Sequence, residues 1–144
     1  MTGAPDSIRA TGRCLCGSVH YSIHGPVRST VVACHCRSCR RFTGGVWTGT
    51  TARKEHLVVE DDRCLKWYQT SSQARRGFCS NCGSSLFWAE PAEPILSIAA
   101  GSLDEPTGLK LAVHSWTSQA AVYWSFDPTI PRKSESSGLG GPEE

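Results

Sequence analysis

The chain has 144 residues, of which 39% are hydrophobic and 19% charged, and its formal net charge at pH 7 is +2. This length predicts one domain with a moderate core, and the composition excludes a disordered chain. The near-neutral charge argues against a general affinity for nucleic acid, and no apolar run approaches the roughly 20 residues that span a bilayer. Residues 1–7 lack the basic and apolar stretches of a signal peptide, so we expect a cytoplasmic protein.

Short β-type runs, separated by Gly, Pro, Asp and Ser, recur along the chain and predict a mainly β fold. In chain order the predicted strands are residues 18–23, 30–33, 46–51, 57–60, 65–69, 74–78, 85–89, 95–99 and 111–116. Only residues 37–42 and 102–105 have the composition of a helical turn, and the Leu-Asp-Glu-Pro sequence at 103–106 is equally typical of a loop. We expect a flexible N-terminus at residues 1–9, a domain at 10–131 and a disordered tail at 132–144.

Seven of the eight cysteines fall into three short clusters. These are C-x-C (Cys14, Cys16), C-x-C-x-x-C (Cys34, Cys36, Cys39) and C-x-x-C (Cys79, Cys82). In an extended segment alternate side chains share a face, so a C-x-C pair can point at one ion, and a C-x-x-C turn brings two sulfurs together. A four-thiolate zinc site is closed and structural, whereas a three-thiolate site keeps one position open for chemistry. Seven ligands therefore predict one site of each kind.

The fourth position at Cys34, Cys36 and Cys39 has several candidate occupants. They are water, a substrate, Cys64, and the five histidines His20, His24, His35, His56 and His114. Strand alternation directs His35 to the face opposite its cysteine neighbours. We interpret Cys64 as an ordinary buried thiol and the other histidines as structural.

Arginines concentrate around the cysteine clusters, at Arg37, Arg40, Arg41, Arg75 and Arg76. We interpret them as charge compensation for anionic metal–thiolate centres rather than as a nucleic-acid surface. Further candidates for supporting contacts are the Thr43 hydroxyl and the N–H groups of Gly44 and Gly45. Among the aromatic residues, we expect Trp47 and Phe42 to line a pocket near the open position.

The arrangement resembles the glutathione-dependent formaldehyde-activating enzyme family, whose members include the centromere protein V group. The matching segments are residues 12–19, 34–45 and 77–84, followed by 101–106 and 114–116. The resemblance covers about residues 10–131, and its three metal motifs occur in the family's order.

This resemblance implies an Mss4-like β-tent of short antiparallel strands around two zinc ions. By family analogy Cys14, Cys16, Cys79 and Cys82 hold the structural zinc, and Cys34, Cys36 and Cys39 hold the catalytic one. The family's activity is that of a carbon–sulfur lyase, which joins formaldehyde reversibly to glutathione as S-hydroxymethylglutathione. The implied partners are a small thiol or aldehyde, with glutathione as one candidate, and no nucleic acid or membrane.

Two other functions are compatible with the same cysteines. One is a zinc-stabilised binding or scaffolding module without catalysis, which predicts a fourth protein ligand at Cys34, Cys36 and Cys39 and no adjoining cavity. The other is a redox protein that uses Cys36 and Cys39 as a reversible C-x-x-C couple. A third clustered cysteine argues against the redox couple.

Overall fold

Two β-sheets make up most of the computed structural model, which describes residues 7–136. The smaller sheet is antiparallel, with strand order β1-β2-β5. Its strands are β1 (Ala10–Arg13), β2 (His20–Ile23) and β5 (Leu57–Val59).

The larger sheet has seven strands in the order β10-β3-β4-β9-β8-β7-β6. Its strands are β3 (Thr30–Cys34), β4 (Trp47–Arg53), β6 (Leu65–Gln69), β7 (Arg75–Cys79), β8 (Ser85–Ala89), β9 (Ile95–Ala99) and β10 (Lys110–Ser115). Neighbouring strands are antiparallel except β10 and β3, which run parallel. The parallel pair brings Ser115 opposite Cys34, so the end of the sheet's last strand lies beside a cysteine cluster.

The described residues contain one α-helix, α1 (Arg37–Thr43). Cys36 caps the N-terminus of this helix. Its sulfur accepts a hydrogen bond from the Cys39 N–H in place of the usual capping oxygen. The helix ends at Gly44, whose φ of 80° lets the chain leave in the left-handed conformation while its N–H bonds the Arg40 carbonyl. Short 3₁₀ helices cover Lys54–His56, Ala100–Ser102 and Thr117–Gln119.

The main core lies between the two sheets. Tyr21 and Ile23 of the smaller sheet pack with Phe87 and Ile98 of the larger one, and all four are at most 2% exposed. The rings of Tyr21 and Phe87 meet edge to face, with centroids 5.2 Å apart.

The opposite face of the larger sheet carries different chemistry. Strand register aligns Arg76 with Trp88, and Trp88 with Ser97, across β7, β8 and β9. Further along the sheet, Trp47 lies opposite Cys34. Because side chains alternate between faces, the same strands that supply the core also supply this second surface.

The prediction of a mainly β fold is confirmed. The predicted strands at residues 65–69, 85–89 and 95–99 coincide with β6, β8 and β9. Strand β1 was not predicted, because four residues that include a glycine carry little β propensity and depend on pairing with β2. Of the two interpretations of residues 102–106, the loop at 103–106 is the one found: the 3₁₀ turn ends at Ser102, and Leu103 is extended.

The start of the predicted tail is hydrogen-bonded to the domain. The Lys133 N–H donates to the His114 carbonyl at 2.8 Å, and the Lys133 carbonyl accepts from the Thr117 N–H at 3.1 Å. Residues 1–6 and 137–144 lie outside the described residues. Between residues 7 and 136, no helix combines the length and apolarity required to cross a bilayer.

Strand β1 docks closely on the segment after β9, which generates a test at Gly12. A Cβ at this position would contact the Tyr21 hydroxyl and approach the Ser102 carbonyl oxygen to 2.6 Å. We expect Gly12→Ala to lower the free energy of unfolding by about 1–3 kcal/mol through overpacking, measured by denaturant titration. Gly45→Ala is the matched control, since a Cβ there meets nothing within 4 Å. Equal losses in both variants would contradict this account of the β1 contact.

Candidate metal centre

Four cysteine sulfurs converge where the ends of β1 and β7 meet. Cys14 and Cys16 follow β1, while Cys79 ends β7 and Cys82 lies in the next turn, and their Sγ atoms all lie within 4.8 Å of one another. The Cys16 sulfur is 3.7 Å from that of Cys14 and 3.9 Å from that of Cys79. Zinc–sulfur bonds of ~2.3 Å place the sulfurs of a tetrahedral site about 3.8 Å apart. The four thiols therefore fit a zinc ion.

Polar neighbours favour the thiolate form of the two outer cysteines. The Ser84 hydroxyl, 3.1 Å from the Cys82 sulfur, lowers the pKa of Cys82 to about 5. The Ser18 hydroxyl in the same way lowers the pKa of Cys16 to about 7. Burial raises the pKa of Cys79 to about 11, so this inner thiol needs the metal in order to ionise at neutral pH.

The second cluster is built by β3 and α1. Cys34 is the last residue of β3, Cys36 caps α1, and Cys39 lies in the first turn of that helix. Their three Sγ atoms lie within 4.8 Å of one another, and no fourth Cys, His, Asp or Glu between residues 7 and 136 joins them at that distance. One six-residue segment thus supplies three corners of a tetrahedron and leaves the fourth corner without a protein ligand of these types.

The three thiols of this cluster ionise unequally. The Cys34 and Cys39 thiols donate to the Cys36 sulfur and hold the pKa of Cys36 far below its ordinary value. The same contacts, that with Cys34 first, raise the pKa of Cys39, and the contact with Cys36 raises that of Cys34. Ionised Cys36 therefore keeps protons on its two neighbours, and all three become thiolates together only beside a cation.

A buried arginine supports the second cluster. Arg76 on β7 is 2% exposed, and its Nη2 donates to the Cys39 sulfur at 3.4 Å and to the Ser38 hydroxyl at 3.2 Å. Its guanidinium carbon lies 5.2 Å from the Phe42 ring centroid. Its positive charge offsets part of the negative charge that three thiolates create.

A cavity of about 430 Å³ adjoins the three sulfurs. Its lining consists of Cys34, Cys36, Ser38, Cys39, Trp47, Thr70, Ser71, Ala74, Arg76, Trp88, Trp116 and Gln119. Trp47, Trp88 and Trp116 also pack with the cysteines as one apolar cluster, separate from the main core. The incomplete cysteine set therefore faces an open-sided, mainly apolar cavity to which three tryptophans contribute.

A larger groove of about 670 Å³ lies beside the four-cysteine cluster. The one cysteine in its lining is Cys14, whose sulfur already belongs to a complete set of four. A closed set offers no free coordination position, so this groove is a weaker candidate for chemistry in spite of its size.

The structure separates the other candidate ligands from both clusters. Cys64 is partly buried against the main core and joins neither sulfur group. None of the five histidines, all of which are described, joins either group. His24 instead pairs with the Ser22 hydroxyl at 2.9 Å, and His20 lies 3.3 Å from the Gly17 carbonyl.

His35 points away from the cysteines on either side of it, as strand alternation predicts. Its Nε2 lies 2.9 Å from Nδ1 of His114, and both rings pack against Phe126. Burial lowers the pKa of both histidines, so this pair is neutral at pH 7. The pair joins the back of the metal-binding loop to strand β10.

The contacts predicted to support the second cluster are only partly found. Arg40 donates to the Gln119 carbonyl at 2.8 Å, and the Gly45 N–H bonds the Thr43 hydroxyl at 3.1 Å, so these groups shape the helix and its ends. Arg76 is the arginine that reaches a sulfur. The position of Arg76 shortly before Cys79 and Cys82 in the sequence indicated charge compensation. Its contact with Cys39, however, depends on strand register in the folded sheet.

Of the two aromatic residues predicted to line the pocket near the open position, one does so and the other does not. Trp47 lines the cavity at the three sulfurs, whereas Phe42 lines the larger groove and packs against Phe78. Trp88 and Trp116 complete the aromatic wall, and sequence reasoning did not select them. Their spacing in the chain gives no signal, because Trp88 lies on β8 and Trp116 follows β10, and the two come together only in the folded protein.

Two curated proteins resemble this chain in sequence. An uncharacterized lyase of Schizosaccharomyces pombe is 35% identical over 80 residues, which cover 54% of this chain and 56% of the yeast protein. A candidate glutathione-dependent formaldehyde-activating enzyme of Halomonas elongata is 29% identical over 107 residues, which cover 66% of this chain and 68% of that protein. The match thus spans little more than half the length of the yeast protein.

A structural comparison and a family model agree with the sequence matches to these two relatives. A crystal structure of a Rhodobacter sphaeroides protein superposes with a TM-score of 0.58 at 21% identity, covering 85% of this chain and 99% of the other, and so shares the fold. The family model for the glutathione-dependent formaldehyde-activating enzyme matches residues 9–119, which include both cysteine clusters. The chain therefore belongs to the glutathione-dependent formaldehyde-activating enzyme family.

Proposed function

We propose that this protein is a zinc-dependent carbon–sulfur lyase that adds a thiol to formaldehyde or another small carbonyl compound, or removes it. The observation that carries the proposal is the three-cysteine cluster without a fourth ligand, placed at the wall of a cavity. Membership of the family and the lyase name of the yeast relative support an enzyme of this class. A purely structural site would instead have its fourth ligand from the protein and no adjoining cavity.

The reaction has a simple balance of atoms. In the forward direction the thiol sulfur forms a bond to the carbonyl carbon, the carbonyl π electrons move to oxygen, and the thiol proton ends on that oxygen. The reverse direction breaks the carbon–sulfur bond and returns the thiol and the carbonyl compound. The attacking sulfur in the forward direction and the leaving sulfur in the reverse direction both carry negative charge, so both directions are assisted by a group that stabilises a thiolate.

The residues of the cluster suit that requirement. Cys34, Cys36 and Cys39 would hold the ion, and a bound zinc ion supplies a Lewis acid that lowers the pKa of a thiol at its open position. Arg76 donates to the Cys39 sulfur and so withdraws charge from the ligand set. The tryptophans give the cavity apolar walls, next to which electrostatic interactions are stronger than in bulk water.

The first test is catalysis. We expect the zinc-loaded protein to accelerate the exchange between formaldehyde, thiol and adduct, measured by NMR exchange spectroscopy at equilibrium. Cys36→Ser removes a ligand of the three-cysteine site and should return the exchange rate to the uncatalysed value. Cys64→Ser is the matched control and should keep full activity, because Cys64 belongs to neither cluster. Absence of acceleration with every thiol and carbonyl compound tested would refute the proposed function.

The second test separates the two sites by metal content. We expect protein purified without oxygen to hold about two zinc ions per chain, and Cys36→Ser to hold about one while it stays folded. Cys79→Ser should unfold or aggregate, because Cys79 is fully buried in the main core and metal binding there is coupled to folding. Elemental analysis and thermal unfolding measure both effects. Equal damage to folding from both substitutions would contradict the division into structural and catalytic sites.

The third test addresses Arg76. We expect Arg76→Gln to weaken zinc binding at the three-cysteine site by about tenfold or more, because it removes a cation from the ligand set. Competition with a chromophoric chelator measures the affinity of each site. Arg75→Gln is the matched control: the neighbouring Arg75 lies over the Trp67 ring at 4.2 Å and should leave both affinities unchanged. An unchanged affinity in Arg76→Gln would show that its charge does not act on the metal site.

A further inference from the structure

We propose that the cavity at Cys34, Cys36 and Cys39 selects an uncharged thiol with an aromatic or aliphatic substituent, in preference to a charged peptide thiol. This inference rests on the proposed function, since it places the substrate sulfur at the open corner of the cysteine cluster. It names the chemical class of the group attached to that sulfur.

The walls of the cavity are mainly apolar. Trp47, Trp88 and Trp116 contribute large apolar surfaces, and all three pack with the cysteine cluster. Trp47 is fixed, because it is 4% exposed and its Nε1 donates to the Ser97 hydroxyl at 3.0 Å. An apolar substituent on a sulfur at the open corner would lie directly against this surface.

The backbone at Trp116 supports a role for this side chain. Its φ of 55° is the one positive value among non-glycine residues between 7 and 136. A bulky residue adopts this conformation rarely, and it persists only where the surroundings impose it. The following 3₁₀ turn supplies that restraint, because the Thr117 N–H donates to the Lys133 carbonyl and the Gln119 N–H to that of Trp116. The chain thus holds Trp116 at the cavity wall in an unfavourable backbone conformation.

The cavity contains few groups that could pair with a charged ligand. Among its lining residues Arg76 is the only one with a formal charge apart from the cysteine ligands, and it is buried and already donates to the Cys39 sulfur. The other polar groups are hydroxyls and one amide, those of Ser38, Thr70, Ser71 and Gln119. Glutathione carries two carboxylates and an ammonium group, and burying such charges without partners is costly. An apolar thiol has no such cost.

The other arginines near the three-cysteine cluster lie outside the cavity. Arg37, Arg40 and Arg41 line a separate depression with Gly44, Gly45 and Tyr123, and it shares no lining residue with the cavity. A carboxylate of the thiol could pair with Arg13 in the larger groove, which shares Trp47 with the cavity, or with the three arginines of this depression. These arginines therefore define the competing hypothesis and provide the variants that test it.

The experiment compares benzyl mercaptan, 2-mercaptoethanol and glutathione as ligands of the zinc-loaded protein, by isothermal titration without oxygen. We expect benzyl mercaptan to bind about tenfold more tightly than either of the others, because its ring buries apolar surface against the tryptophans. Trp88→Leu and Trp116→Leu should each lower the affinity for benzyl mercaptan about fivefold and leave the affinity for 2-mercaptoethanol unchanged. The matched control Trp67→Leu should change neither, since Trp67 stacks on Phe87 outside the cavity.

The outcomes distinguish this inference from the proposed function. Glutathione binding more tightly than benzyl mercaptan, with loss of that binding in Arg13→Ala or in Arg37→Ala and Arg41→Ala, would overturn the inference while adduct exchange with glutathione upheld the lyase. An equal loss of affinity for benzyl mercaptan and for 2-mercaptoethanol in the Trp88 and Trp116 variants would also overturn it. The tryptophans would then act on the metal site and not on the substituent of the thiol. Absence of binding and of exchange for all three thiols would overturn both proposals.

Discussion

The repulsion between thiolates less than 5 Å apart is the constraint on which the rest of the structure depends. Seven cysteine sulfurs crowd into two small volumes, and neither set can ionise fully without a cation. The protein compensates the charge differently in each place. At the four-cysteine cluster, hydroxyl groups such as that of Ser84 face the outer sulfurs, while Cys14 and Cys79 belong to the main core. At the three-cysteine cluster the compensating group is a buried guanidinium.

The larger sheet links the two cysteine clusters and their different compensating groups, because its side chains alternate between its two faces. One face of the sheet packs against the smaller sheet and carries the aliphatic core, and the other carries Arg76, Trp88 and Trp47 beside the second cluster. The position of Arg76 relative to the cysteines is therefore set by strand pairing rather than by a flexible loop. A site built on strands in this way holds its supporting charge at a fixed distance from the sulfur.

The cysteine spacing and the β propensity made much of this architecture predictable. The C-x-C and C-x-x-C half-sites, the three-cysteine group and the direction of His35 away from its cysteine neighbours follow from local periodicity, because each involves neighbours within a few residues. The pairing of Cys14 with Cys79 was implied by family resemblance, since spacing alone does not state which half-sites meet. The contact of Arg76 with Cys39 and the aromatic wall were not predictable, because they depend on sheet register and on the left-handed turn at Trp116.

The parallel pairing of β10 with β3 has a consequence for the order in which the protein is made. All seven clustered cysteines have been translated by Cys82, whereas Trp88, Trp116 and Gln119 follow later in the chain. A chain emerging from the ribosome therefore presents all seven thiols before Trp88, Trp116 and Gln119 of the cavity lining have been added. An ion captured at that stage does not have to pass Trp88 or Trp116, so loading of the metal does not depend on access through the finished cavity.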